Sequence, residues 1–130
     1  MDKDRPILKI LTIDDSEVVQ NSMYNLFKDI DGLLWIGHAY TVEEAFELIK
    51  SLKPQMILLD IKLHNRTGFE VLKFLKEKFP EITTIILSNF TTEPFRKKSF
   101  ELGAKYFLDK SQEFEKIPEI IASIKYQKVV

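Results

Sequence analysis

Strand-like and helix-like segments alternate without a break along the 130 residues. That alternation constrains the fold more than any single motif. Ile7–Ile13 is short and rich in Ile and Leu, the pattern of a strand buried on both faces. Ser16–Ile30 carries Val19, Met23, Leu26, Phe27 and Ile30 at the spacing of one helix face. Leu33–Ala39 is a second strand candidate. Thr41 with Glu44 forms a capping-box pattern that opens a helix over Val42–Leu52, and Lys53-Pro54 ends it. Met56–Leu59 is a third strand, stopped by Asp60, and Ile61–Thr67 reads as a polar loop. A helix over Gly68–Phe79 is ended by Pro80. Thr83–Leu87 is a β-branched fourth strand. Thr92–Leu102 is the next helix, with Gly103 in the place of a C′ residue. Lys105–Leu108 is a short fifth strand. Phe114–Tyr126 closes as a helix, with Pro118 tolerable only near its first turn.

Five strands alternating with five helices argue for an α/β fold with a parallel sheet and helices on both faces. The 2-1-3-4-5 strand order is the expectation. In such a sheet, ligands bind beyond the carboxyl ends of the strands, where the order reverses. Asp14 and Asp15 end the first strand and Asp60 ends the third, which would be its neighbour. Three carboxylates brought together cannot all stay ionised unaided. With oxygen donors alone on offer, Mg²⁺ is the cation that suits them, since it takes one or two carboxylates and keeps waters and phosphate. Ser88 ends the fourth strand and Lys110 follows the fifth, at the same edge. A hydroxyl and an ammonium facing a metal-bound carboxylate make a site for a dianionic phosphoryl group, with Asp60 as nucleophile.

Other classes find little support. The formal net charge of −1 offers no electrostatic footprint for nucleic acid. No cysteine is present for a disulfide or thiolate metal site. No apolar run approaches the ~20 residues of a membrane span, and MDKDRP has no signal core. The expected location is the cytoplasm. The chain is read as one domain over residues 1–130, with 1–6 a flexible lead and 127–130 a tail.

The stretches ILTIDDSE, MILLDIKLHNRTGFEVL, IILSNF and LGAKYFLDK together resemble the receiver domain of bacterial two-component response regulators, from Lys9 to about Lys125. The resemblance implies the flavodoxin-like receiver fold and a role for each matched residue. Asp60 would accept a phosphoryl group from the phosphohistidine of a sensor histidine kinase or histidine phosphotransfer protein. Asp15 would bind Mg²⁺ directly, Asp14 chiefly through water, and the backbone carbonyl of Lys62 would complete the protein ligands. Ser88 would bond the phosphoryl oxygen, Lys110 would pair with the phosphate, and Phe107 would be the switch aromatic. Gly68 matches the glycine opening the helix after the acceptor loop. The chain would catalyse its own phosphorylation and dephosphorylation without independent turnover. Its output would be a downstream protein target docked on the face that runs from helix four to helix five, near Arg96, Lys97, Lys98, Phe90 and Tyr106. The sequence departs from the family pattern at His64 and Ser111, where prolines are usual, and at Asn89, where a small residue is usual.

Bland readings compete with these. Asp15 or Ser16 could simply cap the first helix, and Lys110 alone could be a solvated lysine. His64 reads as a loop residue. His38 lies at the end of strand two, away from the predicted acids, and gains no role. Two alternatives stay open: the receiver part of a longer DNA-binding regulator, or a phosphorelay intermediate. An aspartyl phosphatase would want a second aspartate where Lys62 stands, and a flavin protein would want a Ser/Thr-rich loop where DDSEVV stands.

Overall fold

The computed structural model describes residues 7–129, with side chains through Gln127. The flexible lead expected over residues 1–6 lies outside the described residues. In chain order the elements are β1 (Leu8–Ile13), α1 (Glu17–Phe27), β2 (Leu33–Ala39), α2 (Val42–Leu52), β3 (Met56–Leu59), β4 (Lys62–Leu63), β5 (Arg66–Thr67), α3 (Gly68–Lys78), β6 (Thr83–Ser88), α4 (Glu93–Glu101), β7 (Tyr106–Asp109), a 3₁₀ turn (Phe114–Lys116) and α5 (Ile117–Val129). Five strands form one parallel sheet in the order β2-β1-β3-β6-β7. This is the expected 2-1-3-4-5 order once the small β4-β5 hairpin is set aside.

The apolar runs of β1 and β3 follow from burial on both faces. Along β1, Leu8 and Ile10 join Met23, Phe27, Ile117, Ile121 and Ile124 in a core under α1 and α5. Leu11 and Ile13 point the other way, into a core with Val42, Ala45, Ile49, Val71 and Leu72 from α2 and α3. The period-2 alternation of a strand thus feeds two cores, so every position but Lys9 must be apolar or internally bonded. β2 is an edge strand, and it carries a bulge. Ile10 pairs with Trp35 but Leu11 pairs with Gly37, so Ile36 has no partner in the ladder.

Local signals account for most boundaries. The Ser16 hydroxyl accepts from Val19 N–H, and that of Thr41 from Glu44 N–H, as N-caps should. Glu44 Oε1 in turn accepts from Tyr40 N–H at 3.2 Å. Lys53 ends α2 in the left-handed region at φ 48°, where the following Pro54 denies the helix another turn. Gly103 sits at φ 103° just after α4, as its sequence position implies.

Two expectations are corrected. The acceptor loop over Ile61–Thr67 is not a free polar loop. It folds into the β4-β5 hairpin with Ile61 and Leu63 buried, because those two side chains reach the core beside α3. The final helix begins at Ile117, after the 3₁₀ turn, and runs past Tyr126 to Val129, so Gln127 belongs to the helix and not to a tail.

Candidate functional site

The carboxyl ends of the parallel strands carry the five polar residues read as the site. Asp14 and Asp15 leave β1, Asp60 leaves β3, Ser88 ends β6, and Lys110 follows β7. The ladder hydrogen bonds continue past the strand ends. Asp14 N–H donates to Ala39 O at 3.0 Å, Asp60 N–H to Ile13 O at 3.0 Å, and Lys110 N–H to Ser88 O at 2.9 Å. The backbone that presents these side chains is therefore part of the sheet rather than a flexible loop.

Side chains from three strand ends meet. Lys110 Nζ donates to Asp14 Oδ2 and to Asp60 Oδ2, at 2.8 Å each. Asp14 is 1% exposed, and its second oxygen accepts from Ser16 N–H at 2.7 Å. Among the described residues, Asp60 Oδ1 has only the Lys62 N–H, at 3.4 Å. Asp15 is more open, and its Oδ2 accepts from His64 N–H at 3.0 Å. The His64 ring lies 3.8 Å from the same oxygen, and His64 turns the β4-β5 hairpin at φ 57°. Oxygens of Asp14, Asp15 and Asp60 all lie within 4.8 Å of one another.

Burial and charge pull in opposite directions here. Burial raises the Asp60 pKa above the ordinary carboxylate value, and the hydrogen bond and charge of Lys110 only partly oppose that. For Lys110, burial acts to lower the pKa, but bonds to Asp14 and Asp60 together outweigh it and hold the pKa above normal. The two shifts are consistent: one ammonium bonded to two carboxylates stays charged, while burial works against the charged form of Asp60. Three carboxylates and one ammonium leave two negative charges. A single hard divalent cation would balance them, and the donors are all oxygen, so the residues present fit Mg²⁺.

Gly68 explains why the helix after the acceptor loop starts where it does. Its N–H donates to the Ile61 carbonyl, and a Cβ there would run into the backbone carbonyl of Asp60. Ser88 is fully buried, with Oγ accepting from Phe90 N–H at 2.9 Å. Phe107 is buried in the core, with the Arg96 guanidinium 4.9 Å above its ring and Phe100 beside it. Phe90 is 40% exposed, with Lys62 Nζ over its ring at 5.3 Å, while Tyr106 packs against the α1/α5 core. Asn89 is exposed. Ser111 closes a turn on Asp109 through both its N–H and its hydroxyl.

The chain has matches among known proteins. The family model for the response regulator receiver domain fits residues 10–122. The chain belongs to the response regulator receiver domain family. The receiver is 26% identical over 118 residues to the response regulator GacA of Pseudomonas aeruginosa, covering 91% of this chain and 55% of that protein. It is 31% identical over 125 residues to protein-glutamate methylesterase/protein-glutamine glutaminase 1 of Methanospirillum hungatei, covering 93% of this chain and 36% of the relative. The receiver thus spans about half or less of these relatives. The response regulator domain of Thermotoga maritima CheB superimposes with a TM-score of 0.81 at 27% identity, over 95% of this chain and 98% of that one. Two-component signal transduction is the family's setting, and no helix among the described residues is long and apolar enough to cross a membrane.

One residue was misplaced by sequence reasoning. His38 does not lie away from the acids: its Nε2 is 2.9 Å from the carbonyl oxygen of Asp14. Burial lowers its pKa, against the pull of Asp14 and Glu44. A second feature went unseen, the guanidinium of Arg66 binding Glu43 of α2 and Glu70 of α3. Only the Arg66/Glu70 half is a spacing signal, being four residues apart.

Proposed function

We propose that this receiver accepts a phosphoryl group on Asp60 from a phosphohistidine, with Mg²⁺ bound between Asp14, Asp15 and Asp60. The observation that carries the reading is a buried nucleophilic carboxylate with two more carboxylates within 4.8 Å and an ammonium already bonded to it. Asp60 Oδ2 is held by Lys110, so Oδ1 is the oxygen with freedom to attack. Attack forms the O–P bond of an acyl phosphate while the P–N bond of the donor breaks, and its electron pair returns to the imidazole nitrogen. Lys110 already faces the nucleophile and would follow the new phosphate by a small side-chain swing. Bound Mg²⁺ would supply charge neutralisation for the phosphoryl oxygens, with Asp15 in direct contact, Asp14 acting through water, and the Lys62 carbonyl as a further ligand. Ser88 would turn its hydroxyl toward a phosphoryl oxygen, and Phe107 would respond from beneath Arg96, shifting a pre-existing equilibrium of the docking face.

The same reading makes residues 1–130 a single receiver domain working in the cytoplasm. Its partners would be a sensor histidine kinase or histidine phosphotransfer protein and a downstream protein target. Attachment to an output domain is a second reading, favoured by the greater length of the relatives. The test is incubation with Mg²⁺ and a small-molecule phosphodonor, read by intact mass. Wild-type protein should gain one phosphoryl group and Asp60→Asn none; stoichiometric labelling of the variant would sink the assignment.

A further inference from the structure

The β2 bulge at Ile36 has a local consequence. Trp35 and His38 are three residues apart and would normally face opposite sides of a strand. With Ile36 skipped, both turn to the α1 side, opposite the hydroxyl of Thr12. Trp35 Nε1 lies 2.9 Å from Thr12 Oγ1, and Thr12 Oγ1 lies 2.6 Å from His38 Nδ1. His38 Nε2 then reaches the Asp14 carbonyl.

Donor and acceptor chemistry fixes the direction of this chain. A carbonyl only accepts, so His38 Nε2 carries the hydrogen. An indole N–H only donates, so Thr12 Oγ1 accepts from Trp35. In the neutral imidazole Nδ1 then only accepts, so the Thr12 hydroxyl hydrogen goes to His38 Nδ1. The run Trp35 to Thr12 to His38 to Asp14 is thus a continuous set of hydrogen bonds, and Thr12 is fully buried within it. With Asp14 N–H on Ala39 O, both backbone polar groups of Asp14 are held by β2, and its C=O is part of the peptide to Asp15.

We propose that His38 is a positioning residue of the cation site, fixing the Asp14–Asp15 turn from β2 and linking that turn to the indole of Trp35. The proposal rests on the reading of Asp14 and Asp15 as Mg²⁺ ligands. Bulges recur beside functional sites because they re-aim side chains, and this one re-aims two onto a single hydroxyl. Trp35 is the only tryptophan, which gives the linkage a clean reporter.

The experiment is titration of the full chain with Mg²⁺ alone, following amide shifts of Asp15 and Lys62 for affinity and the Trp35 indole N–H resonance for coupling. In wild type the amides and the indole shift with one midpoint. His38→Phe removes the donor to Asp14 and should weaken Mg²⁺ about tenfold, the factor of one lost buried hydrogen bond. His38→Gln can still donate and should return within about threefold of wild type. Thr12→Val keeps the His38 contact to Asp14, so affinity stays within about threefold while the indole falls silent. Should His38→Phe not fold, His38→Leu takes its place for the affinity, and Thr12→Val tests the link to the indole. Wild-type affinity in folded His38→Phe, or an indole that still follows Mg²⁺ in Thr12→Val, overturns the linkage. Absence of amide shifts in wild type would instead overturn the cation site itself.

Discussion

Lys110→Met isolates the charge balance at the centre of the site. The substitution keeps the length and most of the volume of the stem and deletes the ammonium that serves Asp14 and Asp60 at 2.8 Å each. At an effective dielectric of ~20, one such pair is worth about 6 kcal/mol in gross Coulomb terms. Desolvation of the lysine offsets most of this. The net cost of breaking a buried pair from one side is about 3–5 kcal/mol. The lower figure applies here, because Asp15 opens the cluster to water. A loss of about 3 kcal/mol in a chain of 130 residues lowers the melting temperature by roughly 11 °C. The assay is a thermal melt by circular dichroism in chelator, repeated with Mg²⁺. Mg²⁺ at a hundredfold over its dissociation constant contributes ~2.7 kcal/mol, and the variant's more negative site should bind it tighter than wild type does. Mg²⁺ should therefore raise the variant's melting temperature more. Acid should help the variant too. Without Lys110, the folded pKa of Asp60 stands further above its unfolded value of ~3.9. The folded chain then holds a proton that the unfolded chain releases, so stability is present at low pH and is lost as pH rises through the folded value. The gap to wild type should narrow as pH falls from the folded Asp60 value toward the unfolded value of ~3.9. A variant that melts within about 3 °C of wild type in chelator, or an equal Mg²⁺ response in both, refutes the reasoning.

Two further substitutions test the frame around the site. Gly68→Ala sets a methyl group against the Asp60 carbonyl; it should cost about 2 kcal/mol in urea unfolding and weaken Mg²⁺ binding, and an unchanged midpoint would show that the close approach is not a constraint. Lys53→Gly removes a side chain from φ 48°; relief of about 1–2 kcal/mol of left-handed strain less the entropy of a new glycine leaves a net gain of roughly 0.5 kcal/mol, seen as a higher midpoint at unchanged slope.

The parts of this molecule that were legible in the sequence are those specified by neighbours along the chain. β1 and β3 announce themselves because a strand covered on both faces must be apolar at nearly every position. Thr41 and Gly103 mark helix ends because caps act within four residues. Asp14, Asp15, Asp60, Ser88 and Lys110 were placed at one edge because parallel connectivity sends every strand's carboxyl end the same way. What escaped depends on register between strands. Trp35, Thr12 and His38 form one hydrogen-bonded run only because Ile36 is skipped in the β1-β2 ladder. An unbulged β2 would put Trp35 and His38 on opposite faces, and His38 would then be the plain strand-end residue that its sequence suggests. The one local mark of the bulge is Gly37, the residue after Ile36, since a glycine inside a strand pattern often signals one; it does not say which side chains the bulge turns together. Leu63 likewise looks like a loop residue until the β4-β5 hairpin turns it into the core. Which residues meet at this edge was readable from which residues end the strands; the bulge and the hairpin beside them were not, because both are set by pairing across the chain.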